Sequence, residues 1–125
     1  MNTPANLKYT KSDEWFDPDT GAIGITDYAQ SQLSDIVFVE LLVDEGDSIE
    51  TGKPIASVES VKASAEIYAP ASGTIRAVNR DLSNKPEILN SDPYGEGWMV
   101  KVGEGATAEV MDSAAYEKYC EERKH

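Results

Sequence analysis

The stretch SVESVKASAE, residues 57–66, places a primary amine, Lys62, between two runs of alternating residues. Alternation up to Ser60 and again from Ala63 fits a β-hairpin with Val61 and Lys62 as its two-residue loop. In that register Ser60 faces Ala63, Glu59 faces Ser64 and Ser57 faces Glu66. Val resists positive φ, so the loop disfavours the usual type I′ or II′ turns and fits a plain type I turn. Lys62 would then project from the apex, clear of both strands. An amine held there is available for covalent modification. On these residues alone the plainer reading, an ordinary surface lysine, is the favoured one. Glu59, three residues earlier, can simply hydrogen-bond across to Ser64.

Other nucleophile chemistry is poorly supplied. The chain has one cysteine, Cys120, and one histidine, His125. A thiol nucleophile would want a histidine base, and the only one is the terminal His125; with one cysteine and one histidine a Cys/His zinc site cannot be assembled. Cys120, beside Ala115, Tyr116 and Tyr119, reads as core filler. One cysteine allows no internal disulfide, which suits a reducing compartment. The formal net charge is −12 in 125 residues. Such a surface repels phosphate backbones and anionic membranes, so neither nucleic acid nor membrane is expected as a partner. Basic faces of partner proteins are the natural complement. No apolar run approaches a transmembrane span, and the first residues, MNTPANLKYT, resemble neither a signal peptide nor an Arg-rich leader.

The elements that must position Lys62 are mostly short strands. LKYTKSDEWF reads as one irregular strand, DPDTG as a turn, and AIGIT as the return strand. TDYAQSQLSD switches to helical spacing, capped by Thr26 or Asp27, with Asp27 and Gln30 at capping-box spacing. DIVFVELLV is β-branched, with Val37, Val39 and Leu41 alternating against Ile36, Phe38 and Glu40. Gly46-Asp47 and Gly52-Lys53-Pro54 mark turns, and Thr74 to Val78 a strand. Residues 83–98 form the longest loop, with a helical turn near 87–90 and with Trp98 docked by the DPYGEGW segment. WMVKV is the last strand, and GEGA separates it from a helix. In that helix Met111, Ala115 and Tyr119 form a stripe, and Arg123 and Lys124 complement the dipole. A faint echo links VDEGDSIETGKPIASV with YAPASGTIRAV. The chain, 1–125, reads as a single mainly β domain with an early and a C-terminal helix. Two similar β halves packed face to face would give a small sandwich or flattened barrel.

The string VESVKA resembles the lipoylation site of glycine cleavage system H proteins. YTKSDEW (9–15), GITDYAQ (24–30), DIVFVEL (35–41), YAPASG (68–73), VN (78–79) and NSDPYGEGWM (90–99) resemble that family's segments, in its order, across nearly the whole chain. The resemblance implies a lipoyl/biotinyl-type barrel–sandwich hybrid of two small antiparallel sheets. It implies a non-catalytic carrier with lipoic acid amide-linked to Lys62, as N6-lipoyllysine. Its implied partners are a pyridoxal-phosphate glycine decarboxylase, a tetrahydrofolate-dependent aminomethyltransferase and the flavin enzyme dihydrolipoyl dehydrogenase. A lipoyl/octanoyl transferase or lipoate ligase would attach the arm, helped by Glu59. In the family the arm loaded with an aminomethyl group folds into a cleft, and the matching positions are Ser12, Glu14 and Glu66. Two carboxylates and a hydroxyl suit an ammonium. Such a pair also serves glycosidases, but nothing else here builds a sugar cleft.

The implied form is a monomer, cytoplasmic if bacterial and in the mitochondrial matrix if a processed eukaryotic form. An H-like relay of lipoyl or octanoyl groups shares this chemistry. Lipoyl domains of 2-oxoacid dehydrogenases usually carry Asp before the lysine, and biotin carriers Met on both sides; here the neighbours are Val61 and Ala63. An unmodified acidic sandwich that only binds partners is the rival of another class. The sequence departs from the family at Asp13 (usually His), Ser34 (usually Gly) and Leu42 (usually Pro). Asp13 is expected to add charge beside the cleft, and Ser34 to bear a positive φ at a helix exit.

Overall fold

The computed structural model describes residues 2–107 and 110–123. The first segment departs from the sequence expectation. LKYTKSDEWF is two strands, β1 (Lys8–Tyr9) and β2 (Glu14–Phe16), paired antiparallel with Tyr9 opposite Trp15. The turn between them closes through Asp13 N–H to the Thr10 carbonyl, 3.2 Å, and Asp13 sits at φ 73°. Nothing there is Gly or Pro, so the reversal leaves no usual signature; Asp is among the few residues that tolerate this φ.

The DPDTG turn and the hairpin it joins are as expected. Gly21 N–H donates to the Asp17 carbonyl, 2.8 Å, at φ 80°, and a Cβ there would stand 2.0 Å from the Val102 carbonyl oxygen. Strand β3 (Ala22–Ile25) follows, then α1 (Asp27–Leu33). Of the two cap candidates Thr26 takes the role, its hydroxyl accepting from Ala29 N–H at 3.1 Å, while Asp27 bonds the Gln30 side chain at 2.7 Å. The helix exits through Ser34 at φ 64°, ψ −145°, the positive φ anticipated for this position.

Strand β4 (Ile36–Leu41) breaks the expected alternation. A bulge between Ile36 and Phe38 leaves Ile36 and Val39 buried and turns both Val37 and Phe38 to solvent. Strands β5 (Ser48–Ile49), β6 (Pro54–Ser60), β7 (Ser64–Tyr68) and β8 (Ala71–Val78) come next. A 3-10 turn (Arg80–Ser83) leads into the long loop, and the single-turn α2 (Ile88–Ser91) lies within it. The last strand, β9 (Val100–Thr107), runs on through the GEGA segment read as a connector, pairing Ala71 with Thr107.

All pairings are antiparallel. One sheet runs β1-β2-β3-β9-β8-β5, the other β4-β6-β7. The sheets enclose a core of Ile23, Ile25, Val39, Ile55, Val58, Ile67, Ile75, Met99 and Val100. This is the expected mainly β barrel–sandwich hybrid, with nine strands among the described residues. The first echo segment feeds both sheets, through β5 and β6.

Helix α3 (Ser113–Glu122) starts later than expected, because Asp112 caps it through Ala115 N–H, 2.8 Å. Its buried residues are Tyr116 and Cys120, not the Met111–Ala115–Tyr119 stripe; Met111 lies before the helix, bridged to Tyr9. Tyr116 stacks on Tyr9 with centroids 4.8 Å apart, in a second cluster with Leu7, Trp15, Ala22, Tyr28 and Cys120. Burying one such ring stabilises by about 2–3 kcal/mol, enough to fasten a ten-residue helix to β1 and β2. Lys124 and His125 lie outside the described residues.

Candidate functional site

The β6–β7 hairpin has the register read from the sequence, with Glu59 opposite Ser64 and Ser57 opposite Glu66. Ser60 N–H donates to the Ala63 carbonyl at 2.8 Å. Among the described residues the non-glycine positive φ angles are at Asp13 and Ser34, so Val61 and Lys62 keep negative φ, as a type I turn allows. The Ser60 hydroxyl holds this turn. It accepts from the N–H groups of Lys62 (3.3 Å) and Ala63 (3.1 Å). Val61 N–H donates to the Asp35 carbonyl, 3.1 Å, which fastens the tip to the entry of β4. Val61, Lys62, Ala63 and Ser64 are all exposed. A rigid base thus carries an accessible amine.

A cleft of about 780 Å³ opens between the β1–β2 turn and the end of β7. Tyr68, Pro70, Val110 and Met111 give it apolar walls, and Thr10, Lys11, Ser12 and Glu14 line its polar side. Glu14 is 1% exposed. Its Oε1 accepts from the Ser12 and Thr10 hydroxyls, each at 2.6 Å, and its Oε2 from Tyr68 N–H at 3.2 Å. Burial raises the Glu14 carboxyl above its ordinary 4.5; the Ser12, Thr10 and Tyr68 hydrogen bonds pull it down, and the nearby Asp13 charge adds a smaller upward push. An ionised carboxylate offers about four acceptor sites. Three are used here, which by that count leaves one acceptor position.

The structure therefore brings Ser12 and Glu14 together. Glu66 does not line the cleft; it is exposed two residues before Tyr68, paired with Ser57. Thr10 and Tyr68 were not legible as site residues. Thr10 carries no motif, and Tyr68 reaches Glu14 by its backbone across 54 residues of sequence.

Asp13 does not line the cleft, and its charge reaches Glu14 only as the smallest of the influences on that carboxyl. Its carboxylate takes a two-point pair from Arg123, at 2.7 and 2.9 Å, and a hydrogen bond from the Tyr116 hydroxyl at 2.9 Å. Arg123 lies over the Tyr28 and Tyr119 rings at 4.4 and 4.7 Å. The Asp13 hydrogen bonds and charge raise the Arg123 pKa further, outweighing its partial burial. So Arg123 works through a side-chain pair with the β1–β2 turn rather than as the dipole complement expected of it. At the third departure, Leu42 N–H donates to the Ile55 carbonyl, 2.9 Å, a bond proline cannot make. In the DPYGEGW loop, the Pro93 carbonyl accepts from Trp15 Nε1 at 3.0 Å, and the Tyr94 hydroxyl joins the Asn2 carbonyl to Asp27 N–H. Trp98 is half-buried beneath the Lys101 ammonium.

The family profile described as glycine cleavage H-protein matches residues 7–124. The chain belongs to that family. It is 50% identical over 127 residues to a glycine cleavage system H protein of Acidobacterium capsulatum, covering 98% of this chain and 97% of that one. The H protein of Herpetosiphon aurantiacus is 48% identical over 121 residues, covering 94% and 93%. A mitochondrial H protein of Mesembryanthemum crystallinum is 51% identical, covering 93% of this chain and 73% of that one. Among solved structures, the H protein of Mycobacterium marinum superposes with a TM-score of 0.83 at 32% identity, covering 98% and 99%. Membership in the H-protein family makes the chain a non-catalytic carrier subunit. Among the described residues no helix is long and apolar enough to cross a membrane.

Proposed function

We propose that this H-family chain is the lipoyl-bearing carrier of the glycine cleavage system, with lipoic acid joined to the Lys62 amine. The observation that carries the reading is the hairpin apex: an exposed lysine on a turn held by Ser60 and Asp35, within a family-wide match. The site suits the group. The tip leaves Lys62 exposed, and the cleft combines an apolar wall with one carboxylate. Once bound, a lipoyl group supplies a reducible disulfide on a long tether, which protein side chains lack.

The chain's own residues fix, shield and present. Strands β6 and β7 set where the arm is rooted. Glu14, with Ser12 and Thr10, receives a cationic amino group, and the walls at Tyr68, Pro70 and Met111 keep water from it. Glu59 beside the tip helps the lipoate ligase or lipoyl/octanoyl transferase to recognise the hairpin. The carrier passes the aminomethyl group from glycine decarboxylase to the aminomethyltransferase, then meets dihydrolipoyl dehydrogenase. Tethering replaces diffusion with a high local concentration. The working form is a monomer of one domain, cytoplasmic in a bacterium and in the matrix of a mitochondrion.

Reconstitution tests this. The lipoylated chain should stimulate glycine-dependent carbon dioxide release by the purified decarboxylase, and Lys62→Arg should not. Release that ignores the lipoylated chain would refute the glycine-cleavage role and leave the relay of lipoyl or octanoyl groups.

A further inference from the structure

Partners across an antiparallel sheet share a face, so the register fixes what the outer side of the three-stranded sheet presents. Its first row is Phe38, Glu59 and Ser64; the next is Glu40, Ser57 and Glu66. The bulge in β4 turns two neighbours outward, Val37 at 54% and Phe38 at 48% exposed. Val61, at 69%, stands in the turn tied to Asp35 just ahead of them. Single exposed apolar residues are ordinary, but three gathered around one apex mark a contact surface. Asp35, Glu40, Glu59 and Glu66 are all exposed around them. No Lys or Arg occurs in β4, β6 or β7, so Lys62 is the hairpin's own cation.

We propose that Val37, Phe38 and Val61, framed by Glu40, Glu59 and Glu66, form the docking surface for the enzyme that acylates Lys62. The partner's complement is an apolar pocket ringed by Lys and Arg. The inference rests on the carrier reading and extends recognition beyond Glu59 to the β4 edge. Before modification the lysine stem holds its amine only about 6 Å from the backbone. An enzyme that takes the amine into its active site must therefore lie against the tip and the first row. In the reaction an amide bond forms between Nζ and the carbonyl carbon of a lipoyl or octanoyl group activated as an adenylate or thioester. Nζ loses two protons: with a thioester one goes to the departing thiol and the other to the enzyme or solvent, and with an adenylate AMP departs and both pass to the enzyme or solvent. A second copy of the chain fits this face poorly, since it would set Glu40, Glu59 and Glu66 against the same carboxylates.

The test is lipoylation of the full chain by a lipoate ligase with lipoate and ATP. The variants are Phe38→Ser, and Glu40→Lys with Glu66→Lys. Glu50→Lys with Glu121→Lys, both exposed and off this face, is the charge-matched control. Both face variants should lose about tenfold in kcat/KM, mainly through KM, with urea midpoints unchanged; the control should stay within about twofold. The Glu40/Glu66 variant should also flatten the salt dependence of the rate. Face variants that react like the parent, or a control that falls equally, would overturn the docking surface. So would a concentration-dependent dimer of the parent that Phe38→Ser abolishes, since the face would then belong to a second copy. Failure of the parent to be acylated would instead refute the carrier reading itself.

Discussion

Replacing Arg123 by methionine, and Asp13 by asparagine, isolates the pair that joins α3 to the β1–β2 turn. Methionine keeps an apolar stem between Tyr28 and Tyr119 but removes the charge and both hydrogen bonds. Asparagine tolerates the φ of 73° at position 13 and can still accept from Tyr116. The side chains are 30% and 15% exposed, so the pair is neither a free surface pair nor a buried one. Exposed pairs contribute about 0–1 kcal/mol, and removing one partner of a buried pair costs about 3–5 kcal/mol. The two ring contacts add about 0.5–1 kcal/mol each at such exposure. Arg123→Met should therefore cost about 2–3 kcal/mol and Asp13→Asn about 1–2 kcal/mol, with a coupling of about 1–2 kcal/mol in the double-mutant cycle. Urea unfolding of the parent, both single variants and the double variant gives all three values. The coupling should survive salt at about 0.5 M, because partial burial limits screening. A coupling below about 0.3 kcal/mol, or one abolished by salt, would refute the view that this pair fastens the helix to the turn.

Ser34→Gly should stabilise by about 1 kcal/mol, because φ 64°, ψ −145° is a conformation only glycine takes without strain; an unchanged or lower melting temperature would contradict this. The Glu14 carboxyl, followed by carbon NMR, should titrate above its ordinary 4.5. With the folded value raised above the unfolded one, its contribution to stability is complete below pH 4.5 and is lost as pH rises through the folded midpoint. A midpoint at or below 4.5 would show that the Ser12, Thr10 and Tyr68 hydrogen bonds outweigh burial.

What could be read from the sequence was local. The hairpin register followed from alternation on both sides of Val61-Lys62, and it holds pair by pair. Even there alternation does not reveal that the Ser60 hydroxyl stabilises the turn, although its spacing from Ala63 suits such a bond. The β1–β2 reversal carries no turn signature in the sequence, because its positive φ falls on Asp13 rather than on glycine. The buried face of α3 is ambiguous in sequence because two apolar stripes at i, i+4 spacing compete there, and which is buried depends on where Asp112 starts the helix. The bulge in β4 depends on its pairing with β6 and has no signature in IVFVEL. Non-local geometry was the least legible. Glu14 owes its third hydrogen bond to β7, and Asp13 owes its pairing to a residue 110 positions away.

Intact mass spectrometry bears most directly on the role of Lys62. The chain is incubated with lipoate, ATP and a competent ligase, and the modified residue is then mapped by peptide digestion. The expected result is a single lipoyl increment on Lys62, absent from a folded Lys62→Arg variant. A folded parent chain that stays unmodified, or an increment that persists in Lys62→Arg, would contradict it.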